Sequence, residues 1–149
     1  MPLPTLQIVC GALLAGLALF IGVAHAVPHF AIDLSMAGQA PVLRIVWLGM
    51  ALGNLLSFAL VRRGQLRCAR ARVEATDVFE QKVERVRASY AQTTLVGCAL
   101  AEGTGLLGVV VALLSHQPTD FWLAGVPLLA FAVLFPTQAR LERYADAIL

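Results

Sequence analysis

Four stretches of the chain are dominated by apolar residues and carry almost no charge: 5–27, 42–61, 90–115 and 121–137. A helix rises about 1.5 Å per residue and the hydrocarbon core of a bilayer is about 30 Å thick, so about 20 mainly apolar residues suffice to cross it. Closed barrels also span membranes, but their strands alternate with a period of two between turn signals, which these runs lack. The pattern predicts an all-α fold, an integral membrane four-helix bundle made of two helical hairpins. Pro28, Pro41 and Pro118 fall between the runs and suit turns, whereas Pro127 falls inside the fourth and is expected to kink it. Trp47 and Trp122 lie toward one end of their runs, where amphipathic rings favour the membrane interface.

Residues 62–89 break this pattern with eight basic and four acidic side chains. Phe79, Val83, Val86 and Tyr90 are spaced by four, three and four, one apolar stripe on a helix. Asp77 followed by Glu80 resembles a capping box, so the third helix is expected to begin near Asp77 and to extend unbroken from the cytoplasm into the third span. Loops rich in Lys and Arg stay in the cytoplasm, which places the 62–89 connection there, with both termini on the same side. Arg67, Arg70 and Arg72 would also favour anionic lipid. A rival reading takes Ala24-His25-Ala26 as a signal-peptidase site, although no Lys or Arg precedes the apolar run.

Composition agrees with a bilayer environment. Of 149 residues, 59% are hydrophobic and 13% charged, and mean hydropathy is +0.79, which excludes an ordinary soluble globule and a disordered chain. A net charge of +2 gives no reason to expect a nucleic-acid partner. Three cysteines, Cys10, Cys68 and Cys98, form neither a disulfide framework nor a CxxC metal motif, and read as free thiols in apolar packing. His25, His29 and His116, with Asp33 and Asp120 nearby, fall at one end of the spans. Pro28 interrupts the His25–His29 turn, and interfacial histidines are the simpler reading, so no metal is expected. The chain has no nucleophile with a plausible base, no phosphate loop and no dinucleotide fingerprint. Neither an enzyme nor a cofactor is expected.

One residue stands against its surroundings. Glu102 lies about ten residues from either end of the third run, roughly 15 Å deep by helical rise, and no Lys or Arg occurs at that depth. A charge there costs at least about 2.5 kcal/mol, so the side chain is expected to stay protonated and buried. Asn54 at matching depth, Thr104 nearby and Ser57 one turn away are its expected hydrogen-bond partners. Gly49 and Gly53 on the second helix, and Gly97, Ala101, Gly105 and Gly108 on the third, are small residues that would let helices approach closely. Two functions remain open. Glu102 either binds and releases a proton or another cation, or serves only as a neutral hydrogen-bonding link between helices in a structural or accessory subunit.

The segment Thr93-Thr94-Leu95-Val96-Gly97-Cys98-Ala99-Leu100-Ala101-Glu102, followed by Gly108-Val109-Val110-Val111-Ala112-Leu113, resembles the carboxylate helix of the proteolipid c subunit of rotary ATP synthases. The resemblance implies a glycine-bearing inward helix, a basic cytoplasmic turn and an outward helix whose glutamate, here Glu102, takes up a proton. This chain differs in having four spans and a much longer connection. Over most of its length it is similar to a group of small, uncharacterised bacterial membrane proteins with a c-like third helix. Ala12-Leu13-Leu14-Ala15-Gly16, Ala99-Leu100-Ala101-Glu102-Gly103 and Phe135-Pro136-Thr137 carry that likeness. It implies a bacterial inner-membrane location, with the lipid bilayer, further copies of the chain or another membrane subunit as partners.

Overall fold

The computed structural model describes residues 1–26, 37–76, 78–115 and 117–148. Among these it contains five α-helices and two short 3-10 turns, and no strand: α1 (Leu3–Ala26), α2 (Ala40–Glu74), α3 (Phe79–Ser115), α4 (Trp122–Leu134) and α5 (Gln138–Asp146). α1, α2 and α3 are long and apolar enough to cross a membrane, and α4 with α5 would make a fourth such segment if counted as one bent unit.

α2 and α3, of 35 and 37 residues, each measure more than about 50 Å. The sequence pattern extends only the third helix beyond the apolar zone. Both helices project, because residues 62–74 combine good helix formers with Leu66, Ala69 and Val73, which continue the inward stripe of α2. Their connection is tight. Thr76 Oγ1 and Arg85 Nη1 each donate to the Arg72 carbonyl at 2.8 Å, satisfying an acceptor at the end of α2. Of the stripe at the start of α3, Val86 and Tyr90 are buried, Val83 is half-buried and Phe79 is exposed. Asp77 lies outside the described residues.

α4 runs through Pro127 as continuous helix, and the chain breaks instead at Phe135–Thr137, beyond which α5 is inclined by 68°. The expected fourth span of 121–137 is therefore shorter as helix. Proline removes the donor for the carbonyl four residues earlier, here Leu123. That carbonyl lies against Gly108 of α3, where the lack of a side chain allows the two backbones to meet.

α3 is the central element, packed against α1, α2, α4 and α5. Contacts at Cys10–Cys98 and Leu17–Gly105 advance together along both chains, so α1 runs parallel to α3. Contacts at Trp47–Thr104 and Phe58–Gly97, and at Ala124–Gly108 and Leu134–Gly97, advance oppositely, so α2 and α4 run antiparallel to it. The expected first hairpin is not a packed unit, since α1 lies on α3 and α4 and hardly touches α2.

α5 lies across the Arg-rich end. Its Tyr144 and the following Ile148 are buried. Tyr144 hydroxyl pairs with Ser89 Oγ at 2.8 Å, and its ring meets Tyr90 edge-on at 5.4 Å. Arg70 donates to the Ala147 carbonyl at 2.9 and 2.6 Å.

Candidate functional site

The inward stripe of α2 passes through Leu43, Trp47, Ala51, Asn54 and Phe58, at helical spacings of three and four. Opposite it, α3 presents Gly97, Leu100, Thr104 and Val111. The polar members form a short ladder. Asn54 Nδ2 donates to Thr104 Oγ1 at 2.8 Å, and Thr104 Oγ1 in turn donates to the Leu100 carbonyl at 2.8 Å. Trp47 Nε1 donates to the Thr104 carbonyl at 3.1 Å. Trp47 also meets Trp122 edge-on at 5.9 Å. Trp47 is buried between helices, whereas Trp122 is exposed.

Glu102 is not part of this ladder. At about 100° per residue it lies about 160° around α3 from Thr104, so Asn54 turns to Thr104 and not to the glutamate. Ser57 is exposed and also lies off the α2–α3 contact. Glu102 shares a face with Cys98 and Gly105, four residues before and three after, and that face meets α1. By the parallel register the α1 residues level with it are Leu13 and Leu14, both partly buried apolar groups. The expectation of a carboxyl enclosed between tightly apposed helices and bonded to Asn54 is thereby corrected. Glu102 is half-buried at the edge of the α1–α3 contact, and among the described residues no side chain hydrogen-bonds or ion-pairs with it.

The small residues divide in the same way. A Cβ on Gly108 would lie 2.8 Å from Ala124 N and Leu123 C, one on Gly105 2.7 Å from Leu17 Cδ2, and one on Gly97 2.7 Å from Phe58 Cε2. Ala101 is buried among them. At Gly97, Gly105 and Gly108 the absence of a side chain thus admits a neighbouring helix. Gly49 and Gly53 admit none, because a Cβ at either would meet nothing within 4 Å. They lie on the outward side of α2, displaced from the Trp47–Asn54 stripe.

Two constellations lie outside the sequence-based expectations. The first is at the end opposite the Arg-rich extension. Asp120, in the 3-10 turn Pro118–Phe121, is 1% exposed; its Oδ1 accepts from Arg44 Nε at 2.9 Å and ion-pairs with Arg44 Nη2 at 2.7 Å. Its Oδ2 accepts from Ser115 Oγ at 2.7 Å. Arg44 also donates to Gln117 Oε1, so one guanidinium ties the start of α2 to the turn between α3 and α4. A lone arginine near the end of an apolar run, with a lone aspartate in the turn at the same level, was the available signal. The second is the meeting of Cys10 and Cys98, whose Sγ atoms are 3.5 Å apart with both residues fully buried. Their spacing of 88 residues gave no motif to read.

His25 meets Phe121 edge-on at 5.3 Å. His29, Asp33 and His116 lie outside the described residues. Among those described, no group of three or more His, Cys, Asp or Glu side chains is arranged to hold a metal ion. Comparison with protein-family models, with curated proteins and with solved structures finds no match.

Proposed function

We propose that the chain is a four-span integral membrane protein in which Glu102 is a proton-binding group, the component of a membrane assembly that the likeness to the ATP synthase c subunit implies. Three apolar helices of spanning length support the membrane assignment. So does the exposure of large apolar side chains along them, with Ile8 at 71%, Ile45 at 69% and Leu55 at 65%. A face of that kind is suited to lipid and not to water. The basic residues of the α2–α3 extension and of α5 gather at one end, which supports a cytoplasmic assignment for that end in a bacterial inner membrane.

One observation carries the reading of Glu102. It is the only Asp, Glu, Lys or Arg in α3 beyond Arg87, and the side chain expected to hold it as a structural link, Asn54, is engaged by Thr104. A carboxyl at a half-open helix edge, with no side-chain partner among the described residues, is free to exchange its proton with water or with a group on another subunit. The structural role belongs instead to the Trp47–Asn54–Thr104 ladder. Carbodiimides modify protonated carboxyls in apolar surroundings, so the test is labelling of Glu102 in native membranes across a range of pH. Yield should fall as pH rises and vanish in Glu102→Gln. A yield independent of pH would instead assign Glu102 a permanently neutral, structural role.

A further inference from the structure

α1 is held to the rest of the chain by little besides one row of side chains. Leu6, Cys10 and Leu17 are its buried residues, and the donation from Gln7 Nε2 to the Pro136 carbonyl at 3.0 Å is its one side-chain hydrogen bond to another helix or turn outside the cysteine pair, among the described residues. Its other faces are largely exposed and apolar. In the middle of the row Cys98 Sγ donates to Cys10 Sγ at 3.5 Å, with neither thiol exposed. Two sulfurs that close form a disulfide when they approach to about 2.05 Å. The remaining approach of about 1.5 Å is of the size that side-chain torsions supply. Cys68, by contrast, is exposed on the projecting part of α2 and has no such neighbour.

We propose that Cys10 and Cys98 are a redox-active dithiol whose oxidation to a disulfide clamps α1 covalently to α3. Both S–H bonds break and one S–S bond forms. The two protons and two electrons pass to a small, uncharged two-electron acceptor, a quinone or a diazene, which leaves as the hydroquinone or hydrazine. The acceptor class follows from the surroundings. Charged oxidants and hydrophilic thiols have no aqueous route to a pair at 0% exposure, whereas a lipid-soluble acceptor can reach it from the exposed apolar flank when α1 separates locally from α3. The consequence is mechanical: reduced, α1 is held only by packing, the Gln7 hydrogen bond and the weak thiol–thiol contact, and oxidised, it is fixed beside the Leu17–Gly105 contact. This inference does not depend on what Glu102 does.

The test uses the whole chain in native membranes, treated with the diazene diamide, then denatured, alkylated with a maleimide and weighed. The native chain should go from three alkylated thiols to one, with the alkylation-free mass reduced by two hydrogens and Cys10 and Cys98 joined in one proteolytic fragment. Cys68→Ser should go from two alkylated thiols to none, whereas Cys10→Ser and Cys98→Ser should each keep both of theirs. The native and Cys68→Ser chains decide the matter even if the buried variants fail to fold. Retention of all three thiols, or a loss that requires Cys68 and joins two chains, would overturn the proposal.

Discussion

Gly108→Ala is the substitution on which the helix arrangement is most exposed to test. A Cβ at this position would lie 2.8 Å from Ala124 N, 2.8 Å from Leu123 C and 3.0 Å from Leu123 O. Non-bonded carbon atoms prefer about 3.5–4.0 Å, so the new methyl overlaps the α4 backbone by about 0.7–1.2 Å. Backbone cannot step aside by a rotamer change, and α3 and α4 must separate along their contact. Overpacking of this kind costs about 1–3 kcal/mol, offset by about 0.5–1 kcal/mol because alanine favours helix over glycine. From the midpoints of these ranges the expected net loss is about 1 kcal/mol, with an upper bound of about 2.5 kcal/mol. Gly103 supplies the matched control: it is on the same helix, and a Cβ there meets nothing within 4 Å, so Gly103→Ala should be neutral or slightly stabilising. Gly97→Ala and Gly105→Ala should fall between, since their obstacles are the ends of the Phe58 and Leu17 side chains. Thermal unfolding in mild detergent, followed by reactivity of the buried thiols, gives the ranking. Gly108→Ala and Gly103→Ala of equal stability would refute the α3–α4 contact.

The polar contacts give two further expectations. Removing Arg44 leaves the buried Asp120 carboxylate without its cation, so Arg44→Ala should cost about 3 kcal/mol, while Gln117→Ala should cost much less, as measured by the same unfolding assay. Equal effects would mean that the guanidinium does not hold the turn. Thr104→Val removes the acceptor of Asn54 Nδ2 and should cost about 0.6–1.7 kcal/mol, the range for hydrogen bonds between membrane helices. Thr104→Ser should restore most of it, and neither change should alter carbodiimide labelling of Glu102.

The elements were legible from composition because an apolar run of spanning length has few soluble alternatives. Their facing was not. In a water-soluble helix the polar side marks the outside, but lipid is as apolar as a protein interior, so Leu55, exposed on α2, and Leu17, wholly enclosed on α1, look alike in sequence. Small residues carry the same ambiguity: Gly49 and Gly53 have the spacing of a packing motif yet face outward, whereas Gly108 is required by the carbonyl that Pro127 frees. Matching depth was equally insufficient for Asn54, because two residues at one level can lie on opposite sides of the intervening helix. Contacts between distant positions, Arg44 with Asp120 and Cys10 with Cys98, depend on which helices become neighbours, and no local pattern encodes that.

The arrangement around α3 separates two requirements that the sequence superimposes on one helix. Toward α2, the amide of Asn54, the hydroxyl of Thr104 and the indole N–H of Trp47 are paired within the chain, which fixes α2 without leaving a buried donor unmet. Toward α1, the contact is made by Leu6, Cys10 and Leu17, with Glu102 at its edge and one side-chain hydrogen bond from Gln7 nearby. A helix held mainly by packing separates at lower cost than one held by packing and a satisfied polar network. Movement is therefore expected at α1 before α2, and it is α1 whose displacement would change the exposure of Glu102. Hydrogen exchange in detergent offers a direct reading. Amides of α1 around Cys10–Leu17 should exchange faster than those of α2 around Trp47–Asn54, and the reverse order would place the yielding contact on the other side of α3.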